Sequence, residues 1–483
     1  MNSTPMQKPI AWPGHRAANT AGHAQPISEA ELLELEAVYC SHGDTVHYTN
    51  PPKIFEGCEG SFLYDCDGRP YLDLQMWYSA VNFGYRNERL NEAVRRQLDR
   101  LPQVASQYLH REKIELAAAL ARAAEQRFGL QGRVHFNVGG SQAVEDSLKL
   151  VRNAKNGKSL MFAFEGGYHG RTLGASAITS SYRYRRRYGH FGDRAHFVPF
   201  PYHFRGPKGM SKEEYGHHCV QQFERLFESE YNGVWDPKAG QAEYAAFYVE
   251  PIQGTGGYVI PPKSFFPELK RVLDKYGILL VVDEIQMGFY RTGKLFSIEH
   301  FGVQPDVIVF GKAITNGLNP LAGIWAREEL INPQVFPPGS THSTFNANPM
   351  GTAVALEALK MMGETDYEAM VMEKGAYLLE GLEDLKRRYK IVGDVDGLGM
   401  ALRMEICEPH DSFTPSKAIV DRMVDEGLKA DLEVDGKRYG LVLDIGGYYK
   451  NVVTLAPSLH ITKHEMDLSL KLLDRVLNRV SKQ

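Results

Sequence analysis

The chain has 483 residues, of which 55 are basic and 59 are acidic, so its formal net charge is −4. This near balance gives no reason to expect a nucleic acid or another polyanion as the main partner. A hydrophobic share of 43% with 24% charged residues is ordinary for a globular protein, and it excludes a fibrous or wholly disordered chain.

Cysteine usage and hydropathy restrict the class of protein further. Five cysteines without CxxC spacing do not form a disulfide framework or a zinc site, so we expect a cytoplasmic protein without a metal. The longest aliphatic run, residues 278–282, is far shorter than the roughly 20 residues of a membrane span, so we expect no membrane association. Residues 1–27 lack the apolar segment of a secretion signal and are expected to form a flexible tail.

The first predicted elements belong to a small domain. Ser28 and Glu31 form a capping box that predicts the start of a short helix ending near Tyr39. Residues 60–74 are typical of a β-hairpin, because alternating apolar residues flank the turn pair Asp67-Gly68. We assign residues 28–84 to the N-terminal part of this domain.

From about residue 85, long helices alternate with short apolar runs. Helices are predicted at 87–101 and 111–128, and strands at 134–138, 160–164, 245–249, 278–282 and 307–310. Continuous apolar strands that alternate with helices predict an α/β fold with a mainly parallel sheet covered on both faces. We assign residues 85–345 to a large domain, and residues 346–483, with their amphipathic helices and scattered strands, to the C-terminal part of the small domain.

Ligands of open α/β sheets bind beyond the carboxyl ends of the strands, so the residues after each predicted strand are the candidates for chemistry. A Gly-Gly-Ser turn at 139–141 opens a helix whose free N–H groups suit a phosphate, although a plain strand-to-helix turn explains it about as well. Asp283 and Lys312 follow two further strands. Each alone is typical of a helix cap or a solvated end. Together with a phosphate turn they match the requirements of pyridoxal phosphate, which are a Schiff base, a partner for the pyridinium nitrogen and an anion site.

At these residues the chain resembles a known family, the class III aminotransferases of the ornithine and 4-aminobutyrate type. The resemblance runs from about Tyr48 to Thr462. It is carried by motifs at residues 60–73, 78–82, 140–145, 168–172, 250–254, 283–288, 311–313 and 343–349. It implies fold type I of the pyridoxal-phosphate-dependent transferases, the aspartate aminotransferase fold, with a large domain and a smaller α+β domain.

The resemblance also implies catalytic roles. Lys312 would form the Schiff base and later move the proton between the substrate carbon and the cofactor. Asp283 would keep the pyridine nitrogen of the cofactor protonated. Gln286 would donate a hydrogen bond to the oxygen on the cofactor ring, and Tyr168 would stack on the ring face.

Other cofactor-binding residues follow from the same resemblance. His169 and Glu250 belong to this set. Gly140 and Ser141 would bind the phosphate from one subunit, and Thr344 would approach the phosphate of the other. This arrangement implies at least a homodimer.

Substrate residues are implied by position. Tyr48 and Tyr78 correspond to two tyrosines that line the amino-donor pocket of ornithine aminotransferases. Arg171 corresponds to an arginine that binds a substrate carboxylate, a group that the planar guanidinium fork suits.

The chain departs from the family pattern at two positions. Many members carry a glutamate and a late arginine that pair as a carboxylate switch, and this chain has Thr255 and Thr454 there. Both halves of the switch are missing together. We hypothesise that the α-carboxylate of 2-oxoglutarate is held differently, by Arg171, or that another acceptor such as pyruvate is used.

The resulting interpretation is a pyridoxal-phosphate-dependent aminotransferase. It would move an amino group from a primary amine, diamine or omega-amino compound to a keto acid, pyruvate or 2-oxoglutarate, by a ping-pong mechanism. A racemase, epimerase or lyase of the same fold is the alternative, because such enzymes share the cofactor motifs and need no dual-substrate switch. A non-catalytic cofactor-binding protein is a third interpretation. The presence of Lys312, Asp283 and Gln286 argues against it.

Overall fold

The structure is a computed structural model that describes residues 27–43, 46–186, 188, 192 and 195–482. It divides the chain into two compact units, Met1–Ile54 and Phe55–Gln483. The tail predicted for residues 1–27 lies, except for Ile27, outside the described residues. The predicted division into a large and a small domain stays a prediction.

The first unit contains the helix α1, Glu29–Tyr39. The predicted capping box is present: Ser28 Oγ accepts the N–H of Glu31, and the Glu31 carboxylate accepts the N–H of Ser28 at 2.9 Å. Two free N–H groups of the first turn are satisfied in this way, which explains why the helix begins here.

The second unit is organised around one mixed sheet. In spatial order its strands are β4 (Gly132–Asn137), β12 (Ala322–Arg327), β11 (Val307–Phe310), β10 (Leu279–Asp283), β9 (Tyr244–Val249), β5 (Leu160–Phe164) and β6 (His196–Val198). Within this described sheet β12 alone runs opposite to the other six strands, so the predicted mainly parallel sheet is confirmed. The predicted strands match the observed ones to within two residues at either end.

Successive residues of the central strands face two different hydrophobic cores, as the two-residue period of a strand requires. In β9, Phe247 and Val249 pack in one core, whereas Ala246 and Tyr248 pack in the other. All four are fully buried. This explains why the strands are continuous apolar runs and not alternating ones.

Helices cover both faces of the sheet. The helix α5 packs on β4, β11 and β12, while α4 packs on β4 and α8 on β10. The helical segments of this unit are α2 (Met76–Ser79), α3 (Glu88–Arg100), α4 (Arg111–Phe128), α5 (Gly140–Ala154), α6 (Leu173–Ala177), α7 (Lys212–Glu224), α8 (Phe265–Tyr276), α9 (Glu328–Ile331), α10 (Pro349–Gly363), α11 (Tyr367–Arg388), α12 (Lys417–Leu428) and α13 (Lys463–Ser481). None of the helices in the described part of the chain combines the length and apolarity that crossing a bilayer requires.

A second sheet joins distant parts of the sequence. Its order is β1 (Phe55–Glu59), β2 (Phe62–Asp65), β3 (Pro70–Asp73), β16 (Lys437–Val442) and β15 (Leu432–Val434). The predicted hairpin is confirmed, because β2 and β3 are antiparallel. β3 then pairs in parallel with β16, where Gly440 lies opposite Tyr71. A side chain at Gly440 would overlap the Tyr71 ring, so this strand pair needs a glycine.

A third sheet supplies residues near the candidate site. Its order is β13 (Val392–Leu398), β14 (Ala401–Ile406), β18 (Val452–Leu455) and β17 (Asp444–Gly446), and all of its pairs are antiparallel. The short pair β7 (Trp235–Asp236) and β8 (Gln241–Ala242) lies apart from it in sequence.

The segment α2 is a left-handed turn. Its four residues, none of them glycine, have φ between 43° and 64°. Left-handed backbone costs roughly 1–2 kcal/mol per such residue, so the surrounding structure must hold it. Asp73 does so: its Oδ1 accepts the N–H groups of Gln75 (2.7 Å) and Met76 (3.0 Å), and its Oδ2 accepts the Tyr85 hydroxyl (2.7 Å). Backbone strain of this kind is concentrated at functional sites.

Candidate active site

Lys312 is the first residue of a 3₁₀ turn directly after β11. Its φ is 47°, a left-handed conformation that a lysine rarely adopts. Burial lowers the pKa of Lys312, while the carboxylates of Asp283, Glu250 and Asp444 act in the opposite direction. A lowered pKa increases the share of neutral amine, which is the form that acts as a nucleophile and a base.

Asp283 ends the neighbouring parallel strand β10, so it lies at the same edge of the sheet as Lys312. His169 Nδ1 donates a hydrogen bond to Asp283 Oδ2 at 2.9 Å, and the Ile285 N–H donates to Oδ1 at 3.1 Å. Burial disfavours the charged imidazole of His169, but the hydrogen bond to Asp283 and the carboxylate charges outweigh it and raise the pKa of His169. The pair therefore fixes a buried carboxylate at the strand end.

Glu250 follows β9, the next strand in the sheet. Its Oε1 accepts the Tyr168 N–H at 2.8 Å, and its Oε2 accepts the Gly254 N–H at 2.9 Å. Burial raises the pKa of Glu250 to about 7. The structure thus brings three predicted residues, Glu250, Asp283 and Lys312, to the carboxyl ends of three adjacent parallel strands.

The turn that precedes α5 is open. Among the described residues, no side chain caps the helix start at Gly139, and a Cβ at Gly139 would meet nothing within 4 Å. A Cβ at Gly140 would lie 2.7 Å from Ile285 Cδ1, so the backbone approaches the Asp283 segment closely. Ser141 Oγ accepts the Arg171 N–H at 3.2 Å. Free N–H groups at the start of a 15-residue helix are suited to an anion.

Tyr168 and Arg171 lie beside a second tyrosine. The Tyr168 ring meets the Tyr184 ring edge to face, with centroids 5.3 Å apart. The Arg171 guanidinium lies 4.6 Å from the centre of the Tyr184 ring, and the Arg183 guanidinium lies 5.4 Å from it. Arg171 is exposed, so its charge is available at the rim of the site.

Gln286 contacts a tyrosine that the sequence did not reveal. Its Nε2 donates to the Tyr258 hydroxyl at 3.2 Å, and Tyr258 is 1% exposed. A side chain at Gly254 would overlap the Gln286 amide, so this glycine is needed for the amide to lie where it does.

Thr255 and Thr454, the two positions at which the sequence departs from the family pattern, both have atoms close to Gly446. The Thr255 carbonyl accepts the Gly447 N–H at 3.0 Å. A Cβ at Gly446 would lie 2.9 Å from Thr454 Cγ2 and 3.6 Å from the Thr255 carbonyl oxygen. Two short, uncharged residues therefore occupy the positions at which the hypothesised switch needs a glutamate and an arginine.

Three further predicted residues lie in other segments of the chain. Thr344 is exposed in the loop before α10, and Tyr78 belongs to the left-handed turn α2. Tyr48 belongs to the first unit. Their roles stay predictions.

The sequence reasoning also missed Asp444, the first residue of β17, which is 8% exposed. A signal was available, since Asp444 ends the apolar run 441–443 in the same way that Asp283 ends its own run.

A family model described as aminotransferase class III matches residues 45–477. The chain belongs to the class III aminotransferases. The alanine/serine racemase of Pyrococcus horikoshii is 32% identical, over 92% of this chain and 90% of that protein. The probable 4-aminobutyrate aminotransferase of Bacillus subtilis is 30% identical, over 86% and 91% respectively.

A solved structure shows the same fold. The (S)-enantioselective omega-transaminase from Thermomicrobium roseum has a TM-score of 0.83 and 28% identity, covering 94% of this chain and all of that one. The predicted fold type I is therefore confirmed, as is the prediction that the protein is an enzyme of transamination.

Class III aminotransferases use pyridoxal 5'-phosphate, and the predicted cofactor of this enzyme is confirmed. The described residues fit that group. The helix start at Gly140 is open to an anion, and Lys312 is a lysine with a lowered pKa. Asp283 is a buried carboxylate at the adjacent strand end.

A further buried carboxyl group lies directly behind the site. Glu284 is fully buried. Its Oε2 accepts Ser297 N–H (2.9 Å) and Oγ–H (2.7 Å), and its Oε1 accepts the Ile298 N–H at 2.9 Å. Burial nevertheless raises the pKa of Glu284 to about 8.

We expect the free energy of unfolding to fall as the pH rises from about 5 to 8. Glu250 and Glu284 keep protons in the folded protein that the unfolded carboxyl groups, with a pKa of 4.5, have already released. The slope is about −1.4 kcal/mol per pH unit for one such group between its two pKa values. Urea unfolding at several pH values measures it. Glu284→Gln should make the free energy of unfolding less dependent on pH, whereas Glu380→Gln, at an exposed position, should not. If both variants show the same pH dependence, Glu284 does not have the raised pKa.

Proposed function

We propose that the amino donor is a primary amine, a diamine or an omega-amino compound, and that the acceptor is a keto acid, with pyruvate preferred to 2-oxoglutarate. The observation that carries this proposal is that Thr255 and Thr454, both short and uncharged, lie on either side of Gly446, with the Thr255 carbonyl bonded to the Gly447 N–H. An aminotransferase binds two substrates in turn, so a site with one carboxylate-binding arginine suits an acceptor with one carboxylate.

The electrostatic cost of the second carboxylate supports this preference. A carboxylate taken from water into the site without a counter-charge is strongly disfavoured. Pyruvate has one carboxylate, which Arg171 would hold, whereas 2-oxoglutarate brings a second one. A donor that is a simple amine or a diamine brings none.

We assign the chemistry to three residues. The chemistry that the cofactor supplies when bound is an electron sink for the electrons released at the substrate carbon. Lys312 would hold the cofactor covalently, and its Nζ would carry the proton to and from the substrate carbon. Asp283 would balance the positive charge of the pyridine nitrogen, and His169 holds the Asp283 carboxylate in place through the 2.9 Å hydrogen bond.

The remaining residues would bind and orient the cofactor. The N–H groups at Gly140 and Ser141 suit its phosphate, because the helix start is open there. Tyr168 would stack on the ring, positioned by the hydrogen bond from its N–H to Glu250. Gln286 would face the ring oxygen.

We also propose a homodimer and a cytoplasmic location. The exposed position of Thr344 supports a role toward a neighbouring subunit, where the partner's Thr344 would in turn reach this phosphate site. The five cysteines are all free, which agrees with a reducing compartment.

Half-reactions of the aminated enzyme test the acceptor. We expect the aminated enzyme to transfer its amino group to pyruvate at least about tenfold faster than to 2-oxoglutarate at equal concentration. This ratio of rates corresponds to roughly 1.4 kcal/mol of free energy. Arg171→Gln should raise the KM for pyruvate by about tenfold, because it removes the counter-charge. Arg183→Gln is the matched control, since it removes a neighbouring guanidinium from the same tyrosine ring. A preference for 2-oxoglutarate that survives Arg171→Gln would refute this proposal.

Racemisation is the second candidate. Two relatives, 32% and 31% identical, are named as racemases, and a racemase binds one substrate and needs no carboxylate switch. A single enantiomer of an amino acid, incubated without a keto acid, separates the two activities. A transaminase converts the bound cofactor to its amino form stoichiometrically, whereas a racemase inverts the substrate without accumulating that form.

A further inference from the structure

The loop between β5 and α6, residues 165–172, is bonded through its backbone to the candidate site. The Tyr168 N–H donates to Glu250 Oε1 at 2.8 Å. The Arg171 N–H donates to Ser141 Oγ at 3.2 Å. These bonds fix the backbone of the loop, but the side chains of Tyr168 and Arg171 can still rotate about their own bonds. Their direction depends on further contacts.

A second segment, residues 179–184, is bonded to the same loop. The Ser180 N–H donates to the Gly167 carbonyl at 2.9 Å, and Ser180 Oγ accepts the Gly166 N–H at 3.0 Å. Tyr184 ends a short 3₁₀ turn in this segment, and its side chain is half-buried. The two hydrogen bonds of Ser180 therefore keep the segment that carries Tyr184 beside the loop.

The Tyr184 ring contacts both long side chains of the loop. It meets the Tyr168 ring edge to face, with centroids 5.3 Å apart and planes at 70°. This is a favoured geometry for an aromatic pair. The Arg171 guanidinium carbon lies 4.6 Å from the centre of the Tyr184 ring, well within the range of a cation–π contact. One ring thus contacts a residue proposed for the cofactor and a residue proposed for the acceptor.

The contact with Arg171 matters because this arginine is exposed. A long side chain at the surface loses rotamer freedom when a ligand binds to it, and that loss weakens binding. A guanidinium that already lies on a ring has lost part of this freedom before the ligand arrives. Stacking through its face leaves the N–H groups along its edge available to a carboxylate.

We propose that Tyr184 is a positioning residue, whose ring holds the Arg171 guanidinium for the carboxylate of the keto acid and the Tyr168 ring for the cofactor. This inference rests on the proposed function, in which Arg171 binds the acceptor and Tyr168 stacks on the cofactor ring. Tyr184 acts through these two side chains.

Tyr184 could instead serve only to fill space beside the loop. Two substitutions separate these roles. Tyr184→Phe removes the hydroxyl and keeps the aromatic ring, whereas Tyr184→Leu keeps an apolar side chain and removes the ring. Tyr231→Leu is the matched control, because Tyr231 is an exposed tyrosine in another segment of the chain.

The KM for pyruvate tests the contact with Arg171 in the holoenzyme. We expect Tyr184→Leu to raise this KM by about two- to fivefold, the range of an exposed cation–π contact. The kcat should change by less than about twofold, since Arg171 binds the acceptor and does not move the proton. Tyr184→Phe should restore the wild-type KM. In the Arg171→Gln background, Tyr184→Leu should raise the KM no further, because the guanidinium that the ring holds is absent.

Titration of the apoenzyme with pyridoxal 5'-phosphate, followed by absorbance, tests the contact with Tyr168 without turnover. We expect Tyr184→Leu to raise the dissociation constant of the cofactor by about two- to tenfold, the range of an aromatic pair. Tyr184→Phe and Tyr231→Leu should both stay within about twofold of the wild type.

Each other result has a defined meaning. A wild-type KM or a wild-type dissociation constant in Tyr184→Leu overturns the inference, and so does a Tyr184→Phe variant that behaves like Tyr184→Leu. An equal rise of the KM with and without Arg171 also overturns it, because Tyr184 then does not act through that residue. If Tyr184→Leu does not fold, Tyr184→Gln replaces it, and loss of folding in both indicates a purely structural role and overturns the inference.

Failure of the proposed function gives a different result. If Arg171→Gln alone leaves the KM for pyruvate at the wild-type value, Arg171 does not bind the acceptor, and the inference falls with the proposed function. If Arg171→Gln raises the KM and Tyr184→Leu does not, the proposed function stands and only the inference is overturned.

Discussion

Lys312→Ala is expected to lower kcat for amino transfer by about 10²- to 10⁴-fold, the range typical of a lost general acid–base group. Alanine can neither bond to the cofactor nor carry the proton to and from the substrate carbon. The position itself argues for this role, since a lysine is held in a left-handed conformation with its pKa lowered by burial. The assay is amino transfer to pyruvate by the holoenzyme.

A matched control shows whether the loss is specific. Lys360 lies in α10 with its side chain largely exposed, so Lys360→Ala should keep wild-type activity. Borohydride reduction followed by peptide mapping gives a readout independent of turnover, because it should label the wild-type enzyme at Lys312 and leave the Lys312→Ala variant unlabelled. Full activity in Lys312→Ala would contradict the catalytic assignment.

Asp283→Asn is expected to lower kcat by about 10²- to 10³-fold, the cost of removing one preorganised electrostatic partner. The substitution keeps the size of the side chain and removes its negative charge. It should also lower the pKa of His169, because the hydrogen bond and charge of Asp283 raise that pKa against the effect of burial. NMR titration of the imidazole measures this change separately from activity.

Asp306 provides the comparison for Asp283→Asn. It is also buried, but it precedes β11 at the opposite end of the strands, where its Oδ2 accepts the Leu280 N–H at 2.6 Å. Asp306→Asn should reduce stability and leave kcat unchanged. If both variants lose activity equally, general destabilisation and not the charge at the strand end explains the effect.

Five of the seven strands of the central sheet could be predicted from the sequence, because they contain local apolar runs, whereas β6 and β12 are not among the predicted strands. Residues 160–164 and 307–310 are apolar throughout, and they form strands at those bounds. Once the strands are parallel, their carboxyl ends meet at one edge. The convergence of Glu250, Asp283 and Lys312 follows from that topology, without knowledge of their contacts.

The left-handed turn α2 could not be predicted, for a physical reason. Residues 76–79 contain no glycine or asparagine, the residues that signal this backbone conformation. The turn is imposed by contacts, chiefly those of Asp73 with the chain on either side. Tyr258 was missed for a similar reason, since its neighbour Gln286 follows 28 residues later in the sequence, whereas Asp444 has a local signal in the apolar run 441–443.

The pairing of β3 with β16 has a consequence for synthesis of the chain. A ribosome makes residues 70–73 long before residues 437–442, so the β2–β3 hairpin emerges with one edge unpaired. An exposed strand edge is a template for wrong partners, and closing so long a loop is slow. The sheet that begins near the amino end is completed only when nearly the whole chain has been translated. A polypeptide that stops before Lys437 therefore leaves the hairpin open to aggregation.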